Sequence, residues 1–434
     1  MKADFLLNSK TALELYEKVR GLPIIDYHNH LSVSDIATDK RFTDILELWI
    51  APDPYKHRAM RMRGVPEKYI TGEASSEEKF EKWCETLPHL FGNPLYHWSL
   101  MELSTVFGID ELPTQKNAKE IYRCCNEYLS RESVTSRSLL ERFNVELACP
   151  CVSLLDDLSC LEGIANVAPS LRGDDIVAPS EDFLKRLSSL TGISAYDDNG
   201  FSSAVKKRLD ALEANGLVFT DHALDNGFCF DADRDDVKRL IFLAGEYAKR
   251  DLVMQLHIGA QRFTSTKLRE AAGAAGGYAG IGNSVDVQSL TSLLDAVDMR
   301  EHRLPKTVLF TLNPADNALI SVLSGSYSRD GVSGLITQGP AWWWCDHKQG
   351  ILDMLEHTAA FSLVSNFVGM TTDSRSFLSF VRHDYFRRIL CDWLGKKIDD
   401  GEPVSDIEYA KSLVYDLCYG NAKRIINKKG GKEK

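Results

Sequence analysis

The feature that most constrains the fold is a repeated alternation of short apolar runs with longer amphipathic stretches. Eight runs rich in aliphatic and β-branched residues predict strands at about 22–28, 144–150, 165–170, 216–221, 251–258, 306–312, 333–338 and 366–372. Between most of them lie stretches with apolar residues at helical spacing, such as Asp235 to Lys249 and Gln288 to Val297. This alternation favours an α/β fold, a parallel (β/α)8 TIM-type barrel, over an open sheet.

One interval breaks the alternation. About 115 residues separate the first two predicted strands, and they carry helical patterning with few strand signals. We interpret residues 32–143 as a helical insertion over the mouth of the barrel. The barrel domain is then expected to span residues 1–427, and the lysine- and glycine-rich tail 428–434 is expected to be disordered.

The charge balance restricts the class of partner. Lys and Arg number 51 against 62 Asp and Glu, which gives a formal net charge of −11, and no basic block occurs before the last few residues. A nucleic-acid partner is therefore not expected, because neutralising phosphates needs a basic surface. A small anion is compatible with this charge, since one or two arginines in a pocket are enough to bind it.

Nothing in the sequence predicts export or membrane insertion. The first ten residues lack the apolar core of a signal peptide, and no run approaches a membrane-spanning length. The ten cysteines are scattered without a paired framework, as expected of reduced thiols. We therefore expect a cytoplasmic protein with no membrane partner.

A His-x-His dyad, His28-Asn29-His30, ends the first predicted strand. Residues two apart on a strand project to the same face, so the two imidazoles would lie side by side. With the carboxylate of Asp373 they would suit one divalent metal ion, zinc above all. A bare dyad is also compatible with two histidines at a polar loop edge.

Further polar residues end other predicted strands. In a barrel the active site lies at the carboxyl ends of the strands, where His222, His257 and Asp373 follow the fourth, fifth and eighth runs. His257 is read either as a metal ligand or as a buried hydrogen-bonded histidine. His222 is read as a pocket group beside the site.

At this point the chain resembles a known family, the uronate isomerases of the amidohydrolase superfamily. Matching segments run along nearly the whole chain: Leu22 to Leu31, Arg58 to Arg61, Gln255 to Ala260, Pro305 to Thr307, Leu312 to Asn317, Trp342-Trp343, Gly369 to Leu378, Arg382 to Cys391 and Cys418 to Arg424. Three segments depart from the family pattern. After the second strand the chain has Cys149-Pro150-Cys151 instead of a Thr-Asp-Asp type segment, Asp53 to Arg58 is altered, and Trp344-Cys345 replaces Phe-Asn. These departures bear on the substrate preference.

The resemblance implies a site with one metal ion. Binuclear members of the superfamily use a lysine on the fourth strand and a histidine on the sixth, and this chain ends those strands with Asp221-His222 and Leu312-Asn313. The ligands implied are His28, His30 and Asp373, with His257 as a further candidate.

The resemblance also implies a reaction, in which D-glucuronate and D-fructuronate, and D-galacturonate and D-tagaturonate, interconvert through an enediol. Asp373 is expected to carry the proton, Tyr55 to donate to the carbonyl oxygen, and Arg375 to hold the enediolate. Trp342 and Trp343 are read as pocket walls or as core packing. Arg172, with Arg262 as the second candidate, is expected to bind the substrate carboxylate, although either is also compatible with a solvated surface position.

The leading hypothesis is thus a homo-oligomeric uronate isomerase of sugar-acid catabolism that acts on small hexuronates. Two alternatives stay open. One is a mononuclear metal-dependent hydrolase or lactonase on the same barrel, and the other is a non-catalytic barrel that binds sugar acids.

Overall fold

A curled parallel sheet forms the centre of the computed structural model, which describes residues 3–273, 276–301, 303–403 and 406–429. Within these ranges the strands are β1 Ile24–Asn29, β2 Val145–Ser153, β3 Ser170–Arg172, β4 Phe219–Leu224, β5 Val253–Ile258, β6 Ala260–Gln261, β7 Gly280–Ile281, β8 Lys306–Thr311 and β9 Ile336–Gln338. Seven of them form one sheet in the order β1-β2-β3-β4-β5-β8-β9, and every pairing in it is parallel. The short strands β6 and β7 form a separate antiparallel ribbon.

Helices connect the strands and cover the sheet. Within the same ranges they are α1 Lys10–Val19, α2 Val33–Ala37, α3 Pro54–Met62, α4 Ser76–Thr86, α5 Pro94–Glu102, α6 Ala118–Leu129, α7 Ser136–Arg142, α8 Asp174–Val177, α9 Glu181–Thr191, α10 Asp198–Ala214, α11 Asp235–Lys249, α12 Thr266–Ala272, α13 Val287–Glu301, α14 Asn317–Ser326, α15 Lys348–Phe361, α16 Val381–Asp399, α17 Ile407–Tyr415 and α18 Asn421–Lys429. Every residue of β1 and β5 is buried, as expected of parallel strands covered on both faces. In the part of the chain described, no helix combines the length and the apolar composition that crossing a membrane requires.

Two ring contacts across the sheet show how strongly it curls. Tyr27 on β1 stacks on Phe219 of β4 with ring centroids 5.1 Å apart, although two strands lie between them. In a flat sheet those two strands would be about 14 Å apart, at about 4.8 Å per strand. His28 and His257, on β1 and β5, have centroids 4.5 Å apart. The carboxyl ends of distant strands therefore converge on one concave face.

Seven of the eight predicted runs overlap a strand of this sheet, by a single residue in the case of 165–170 and β3, and the prediction of an eighth strand at 366–372 is wrong. Residues 364–366 form a 3₁₀ turn, and the chain beyond them follows β1 without regular strand geometry. A side chain takes part in the pairing there, because the amide of His28 donates to the hydroxyl oxygen of Thr371 at 3.0 Å. Backbone bonds form at the end of the segment, where the Asp373 amide donates to the His28 carbonyl and the His30 amide donates to the Ser374 carbonyl. Gly369 and Asp373 also adopt left-handed backbone, with φ of 115° and 48°, which interrupts an extended strand.

The carboxylate of Asp26 joins this segment to β1. It is fully buried and accepts hydrogen bonds from the Thr371 hydroxyl at 2.9 Å and from the amide and hydroxyl of Thr372, both at 2.7 Å. His383 on α16 and the side chain of Asn29 contact the same carboxylate at 3.3 and 3.1 Å. Burial alone would raise the pKa of Asp26, but the bonds from His383 and Thr372 hold it below its usual value.

The described helices include the region of the predicted insertion and the start of the predicted tail. Helices α2 to α7 lie between β1 and β2, in the region that we interpreted as an insertion. At the other end α18 continues to Lys429, so Lys428 and Lys429 are helical rather than part of the predicted tail. Residues 430–434 lie outside the described residues.

We expect Asp26→Asn to lower the free energy of unfolding by about 3 kcal/mol, since bonds to a charged acceptor contribute about 1.5–3 kcal/mol each and an amide replaces only part of them. Urea denaturation followed by circular dichroism measures the change. Asp330→Asn, at an exposed position, serves as the control. Equal midpoints for the two variants would contradict the role given to Asp26.

Candidate active site

A cavity of about 370 Å³ opens at the carboxyl ends of the strands. It is lined by the two histidines after β1, by the ends of β3, β4 and β5, and by the segments around Trp342 and Asp373. Ten of the eleven residues that the sequence singled out line it: His28, His30, Tyr55, Arg172, His257, Arg262, Trp342, Trp343, Asp373 and Arg375. The rule that places barrel active sites at the carboxyl ends of strands therefore selected residues that share one cavity.

His28 and His30 converge on one oxygen of Asp373. Their Nε2 atoms lie 3.2 and 3.0 Å from Oδ1, and the two rings are nearly perpendicular with centroids 5.3 Å apart. Burial alone would raise the pKa of Asp373, but the hydrogen bonds from both histidines lower it well below its usual value. Asp373 is therefore a carboxylate at neutral pH.

Trp342 holds the other oxygen of Asp373. Its indole Nε1–H donates to Oδ2 at 2.8 Å, and the amide of Asp373 donates to the carbonyl oxygen of His28 at 3.1 Å. The Trp342 ring also contacts the ring of His257, with centroids 4.6 Å apart. Trp342 thus contacts the carboxylate directly as well as walling the cavity.

His257 is paired with a residue that the sequence interpretation did not select. Its Nδ1 lies 2.5 Å from Oδ1 of Asp221 on β4, and its Nε2 is buried and makes no hydrogen bond to a described residue. Burial lowers the pKa of His257, whereas the pKa of Asp221 falls well below its usual value because His257 outweighs the burial of the carboxylate. A neutral imidazole that donates from Nδ1 has an unshared electron pair at Nε2, facing this side of the sheet.

Cys151 on β2 is a second residue that sequence reasoning missed. Its Sγ lies 3.6 Å from Nδ1 of His28, and ligand atoms of Cys151, His28 and His30 all lie within 4.8 Å of one another. Burial would raise the pKa of the thiol, but His28 and His30 lower it to about 7. The segment of Cys149 to Cys151, read as a substrate-preference departure, therefore adjoins the dyad itself.

The donor atoms of this site fit a divalent metal ion. Two groups have close ligand atoms, one of His28, His30 and Cys151 and the other of His28, Asp221 and His257. Ligand atoms at about 2.0–2.1 Å from a tetrahedral zinc ion lie about 3.3 Å apart, close to the observed separations of 3.0 and 3.2 Å at Asp373. Burial lowers the pKa of His28, but Cys151 and Asp373 raise it well above its usual value. The negative groups that stabilise a protonated, positively charged His28 would also stabilise a metal cation bound beside it.

Helix α3 carries Tyr55 into the cavity. The carboxylate of Asp53 accepts from the amides of Tyr55 and Lys56, and Pro54 occupies the first turn, so the helix starts there. The Tyr55 hydroxyl donates to Oδ2 of Asp346 at 3.0 Å. Burial raises the pKa of Tyr55 well above its usual value, so the phenol keeps its proton.

The buried guanidinium of Arg382 supports this wall. It lies 3.4 Å from the carboxylate of Asp346, donates to the carbonyl oxygen of Thr372 at 3.0 Å, and covers the ring of Trp98 at 4.1 Å. Burial raises the pKa of Asp346 to about 6, although Arg382 and Tyr55 oppose the change. Arg382 and Asp346 were not selected from the sequence, because neither follows a predicted strand.

Three arginines line the cavity, and their carboxylate partners differ. Arg172 binds Asp174 through Nε and Nη2 at 3.0 and 2.9 Å, and its Nη1 lies 4.0 Å from Asp221. Arg262 binds Asp225 through Nε at 2.8 Å. Arg375 is exposed, and among the described residues no carboxylate forms an ion pair with it.

The interpretation of His222 as a group of this pocket is corrected. His222 is buried beside Tyr247, whose hydroxyl lies 2.9 Å from Nε2, and it lines a neighbouring cavity of about 340 Å³. Consecutive residues of a strand point to opposite faces, so Asp221 faces His257 while His222 faces away. Asp221 pairs with Arg172 in the β3–β4 register and both line this cavity, but the register belongs to the fold and no pattern in the sequence shows it.

Comparisons with known proteins agree with the resemblance seen in the sequence. A family model described as glucuronate isomerase matches residues 1–242 and 236–426. Proteins named uronate isomerase from Endomicrobium trichonymphae and from Caldanaerobacter subterraneus subsp. tengcongensis are each 39% identical to this chain. The alignments cover 98% of this chain and 98% and 99% of those proteins. A crystal structure of uronate isomerase from Thermotoga maritima matches with a TM-score of 0.90 and 27% identity, over 98% of this chain and 99% of that one.

Proposed function

The chain belongs to the glucuronate isomerase family and is an isomerase, and we propose that it interconverts D-glucuronate with D-fructuronate and D-galacturonate with D-tagaturonate. The observation that carries the proposal is the cavity that joins the ionised Asp373 to three arginines. Such a cavity offers a proton acceptor and cationic groups for a sugar acid.

The chemistry moves one proton between neighbouring carbons. A base removes the proton from C2 of the open-chain aldose while the C1 carbonyl oxygen takes up a proton, which gives the enediol. The C2 hydroxyl then loses its proton as C1 accepts one, so that the C2 oxygen becomes the ketone and O1 stays as a hydroxyl. Asp373 is the proposed carrier, since a positioned carboxylate can take up the proton and return it. Its Oδ2 accepts the indole N–H of Trp342, which fixes the direction from which the carboxylate approaches the sugar.

Tyr55 and Arg375 are the proposed partners of the sugar oxygens. The raised pKa of Tyr55 keeps the phenol protonated, and in this proposal its one proton turns from Asp346 to the carbonyl oxygen when the sugar is bound. Arg375 has no carboxylate partner among the described residues and can stabilise the enediolate. Preorganised donors of this kind contribute about 3–4 kcal/mol each to transition-state stabilisation. Trp342 and Trp343 wall the cavity and limit loss of the carried proton to water.

We propose one zinc ion as the cofactor, held by His28, His30 and Asp373, with Nε2 of His257 as a further ligand. When bound, the ion would polarise or orient substrate oxygens. The proposal is supported by the separations of the His28 and His30 Nε2 atoms from Asp373 and by Nε2 of His257, which has no hydrogen-bond partner among the described residues. Mixed nitrogen and oxygen donors suit zinc better than calcium or magnesium.

Recognition of the substrate carboxylate is assigned to Arg172. Its Nε edge binds Asp174, which fixes the guanidinium and leaves Nη1 directed towards Asp221 at the cavity wall. A fixed planar fork pays less conformational entropy when it binds a carboxylate. Arg262, held by Asp225, is the second candidate.

We also propose a domain organisation, a cellular location and an oligomeric state for the chain. We propose that residues 1–427 form one (β/α)8 barrel domain in which the segment beside β1 takes the place of the eighth strand. Residues 32–143 are proposed as a helical insertion over its mouth, because Tyr55 enters the cavity from α3. A cytoplasmic location without nucleic-acid or membrane partners is proposed from the composition, and a homo-oligomeric state is proposed alongside it.

Purified protein supplied with zinc is expected to convert D-glucuronate and D-galacturonate to their 2-keto isomers, followed by NMR. In ²H₂O the returned proton exchanges with solvent to an extent that reports how well the cavity excludes water. Absence of ketose from both sugars would overturn the isomerase proposal. Hydrolysis of a uronolactone without ketose formation would instead favour a mononuclear hydrolase, and binding without turnover a non-catalytic barrel.

Asp373→Asn is expected to lower kcat by about 10²–10⁴-fold, the usual contribution of a positioned general base. Asparagine tolerates left-handed backbone well, so the φ of 48° at this position is kept. Steady-state kinetics of the zinc-loaded variant, with bound metal quantified and Asp330→Asn as control, measure the effect. Retention of most activity would remove Asp373 from the proton-transfer step.

Arg172→Met is expected to raise KM for D-glucuronate by about tenfold to a hundredfold with a smaller change in kcat, because a charged hydrogen bond to the carboxylate is lost. Arg186→Met, at an exposed position on α9, controls for loss of a positive charge. A neutral hexose, which lacks the carboxylate, is the control ligand and should bind with equally low affinity to Arg172→Met and Arg186→Met. An unchanged KM would move the role to Arg262.

A further inference from the structure

Cys151 on β2 lies next to the ring of His28 on the neighbouring strand β1. Nε2 of His28 and Nε2 of His30 both face Oδ1 of Asp373, so the proposed ion is bound on that side of the dyad. The other ring nitrogen of His28, Nδ1, faces Sγ of Cys151 at 3.6 Å. The two nitrogens of one imidazole therefore have different partners.

The tautomer of His28 follows from this arrangement. A neutral imidazole that gives the electron pair of Nε2 to a metal carries its proton on Nδ1, and that N–H needs an acceptor. The His28 ring is almost completely buried, and Sγ of Cys151 is the one hydrogen-bond partner of Nδ1 among the described residues. Without the sulfur this N–H would be buried without a partner, which is unfavourable by about 1–3 kcal/mol.

We propose that Cys151 is a positioning residue of the metal site, whose sulfur accepts the Nδ1–H of His28 and thereby presents Nε2 to the ion. The inference rests on the proposed metal site and deepens it. Metal-bound histidines generally need such an acceptor, which sets the ring orientation and the basicity of the ligand nitrogen.

The pair of Asp221 and His257 supports this assignment, because its arrangement is similar to that of Cys151 and His28. Asp221 on β4 holds Nδ1 of His257 on β5, and no described residue forms a hydrogen bond with Nε2. Cys151 on β2 stands in the same relation to His28 on β1, with a side chain from the adjacent strand at Nδ1. The difference is the acceptor, since sulfur replaces a carboxylate and makes a weaker bond.

Cys149 provides a matched control on the same strand. It lies two residues earlier and is buried in the apolar group that contains Tyr27 and Phe219, with no hydrogen bond to a histidine among the described residues. Cys149→Ala and Cys151→Ala therefore remove the same atom from the same strand, and only the second removes the acceptor of His28.

The first experiment measures the zinc dissociation constant of the full-length chain by competition with a chromophoric chelator, in the absence of sugar. Cys151→Ala is expected to weaken binding by about tenfold or more, the effect found when outer partners of metal-bound histidines are removed. Cys149→Ala should leave the affinity unchanged, and Cys151→Ser should restore part of it because a hydroxyl also accepts Nδ1–H. Equal affinities for Cys151→Ala and Cys149→Ala would overturn the inference.

The second experiment uses cobalt(II) in place of zinc and records the absorption spectrum. We expect ligand-field bands of a nitrogen- and oxygen-bound ion, shifted in Cys151→Ala, without a near-ultraviolet sulfur-to-cobalt charge-transfer band in the wild type. Such a band, lost in Cys151→Ala alone, would overturn the inference by showing that the sulfur binds the ion directly. Neither measurement depends on turnover, so the absence of isomerase activity would leave the test of Cys151 valid. Melting temperatures show whether each variant is folded.

Discussion

The site depends on the buried carboxylate of Asp26. Asp26 lies on β1 two residues before His28, and it binds the hydroxyls and amide of Thr371 and Thr372, which precede Asp373. The dyad and its carboxylate are separated by about 340 residues in the chain, yet this network sets their distance within the fold. A regular strand ladder would align the backbones alone, whereas here the side-chain bonds also allow the left-handed turn that aims Asp373 at both histidines.

Much of this arrangement follows from periodicity and from the geometry of parallel sheets. A repeat of two placed His28 and His30 on the same side of β1, and the rule for strand ends brought His257 and Arg172 to one cavity. Asp373 also lines this cavity, although the segment before it is not the strand that was predicted. Those rules work because parallel strands start and end in common layers, so residues distant in sequence meet at one edge. The resemblance to a family added the roles, which no periodicity supplies.

The rest needed three-dimensional information. Residues 366–372 have the composition of a strand, but hydrogen bonds from Thr371 and Thr372 to Asp26 displaced the ladder, and single-sequence patterns do not show such distant side-chain partners. The sequence interpretation placed His222 in the pocket, whereas Asp221 lines the cavity. Alternation along a strand shows that two consecutive side chains point to opposite faces, but it does not show which of them points into the barrel. Cys151 was missed because its partner His28 lies over a hundred positions away, on a different strand.

The acidic net charge of the chain and the anionic substrate proposed for it are compatible for an electrostatic reason. At physiological ionic strength the Debye length is about 8 Å, so exposed carboxylates elsewhere on the surface are largely screened from an anion in the cavity. The groups within that distance decide the local potential. Arg172 and Arg262 are balanced by Asp174 and Asp225, which position them, while Arg375 forms no ion pair with a described carboxylate. The carboxylates of Asp221 and Asp373 also line the cavity, and they face His257 and the dyad. A cation bound by the dyad would add to the charge of Arg375, so the cavity can attract a sugar acid although the protein as a whole repels one.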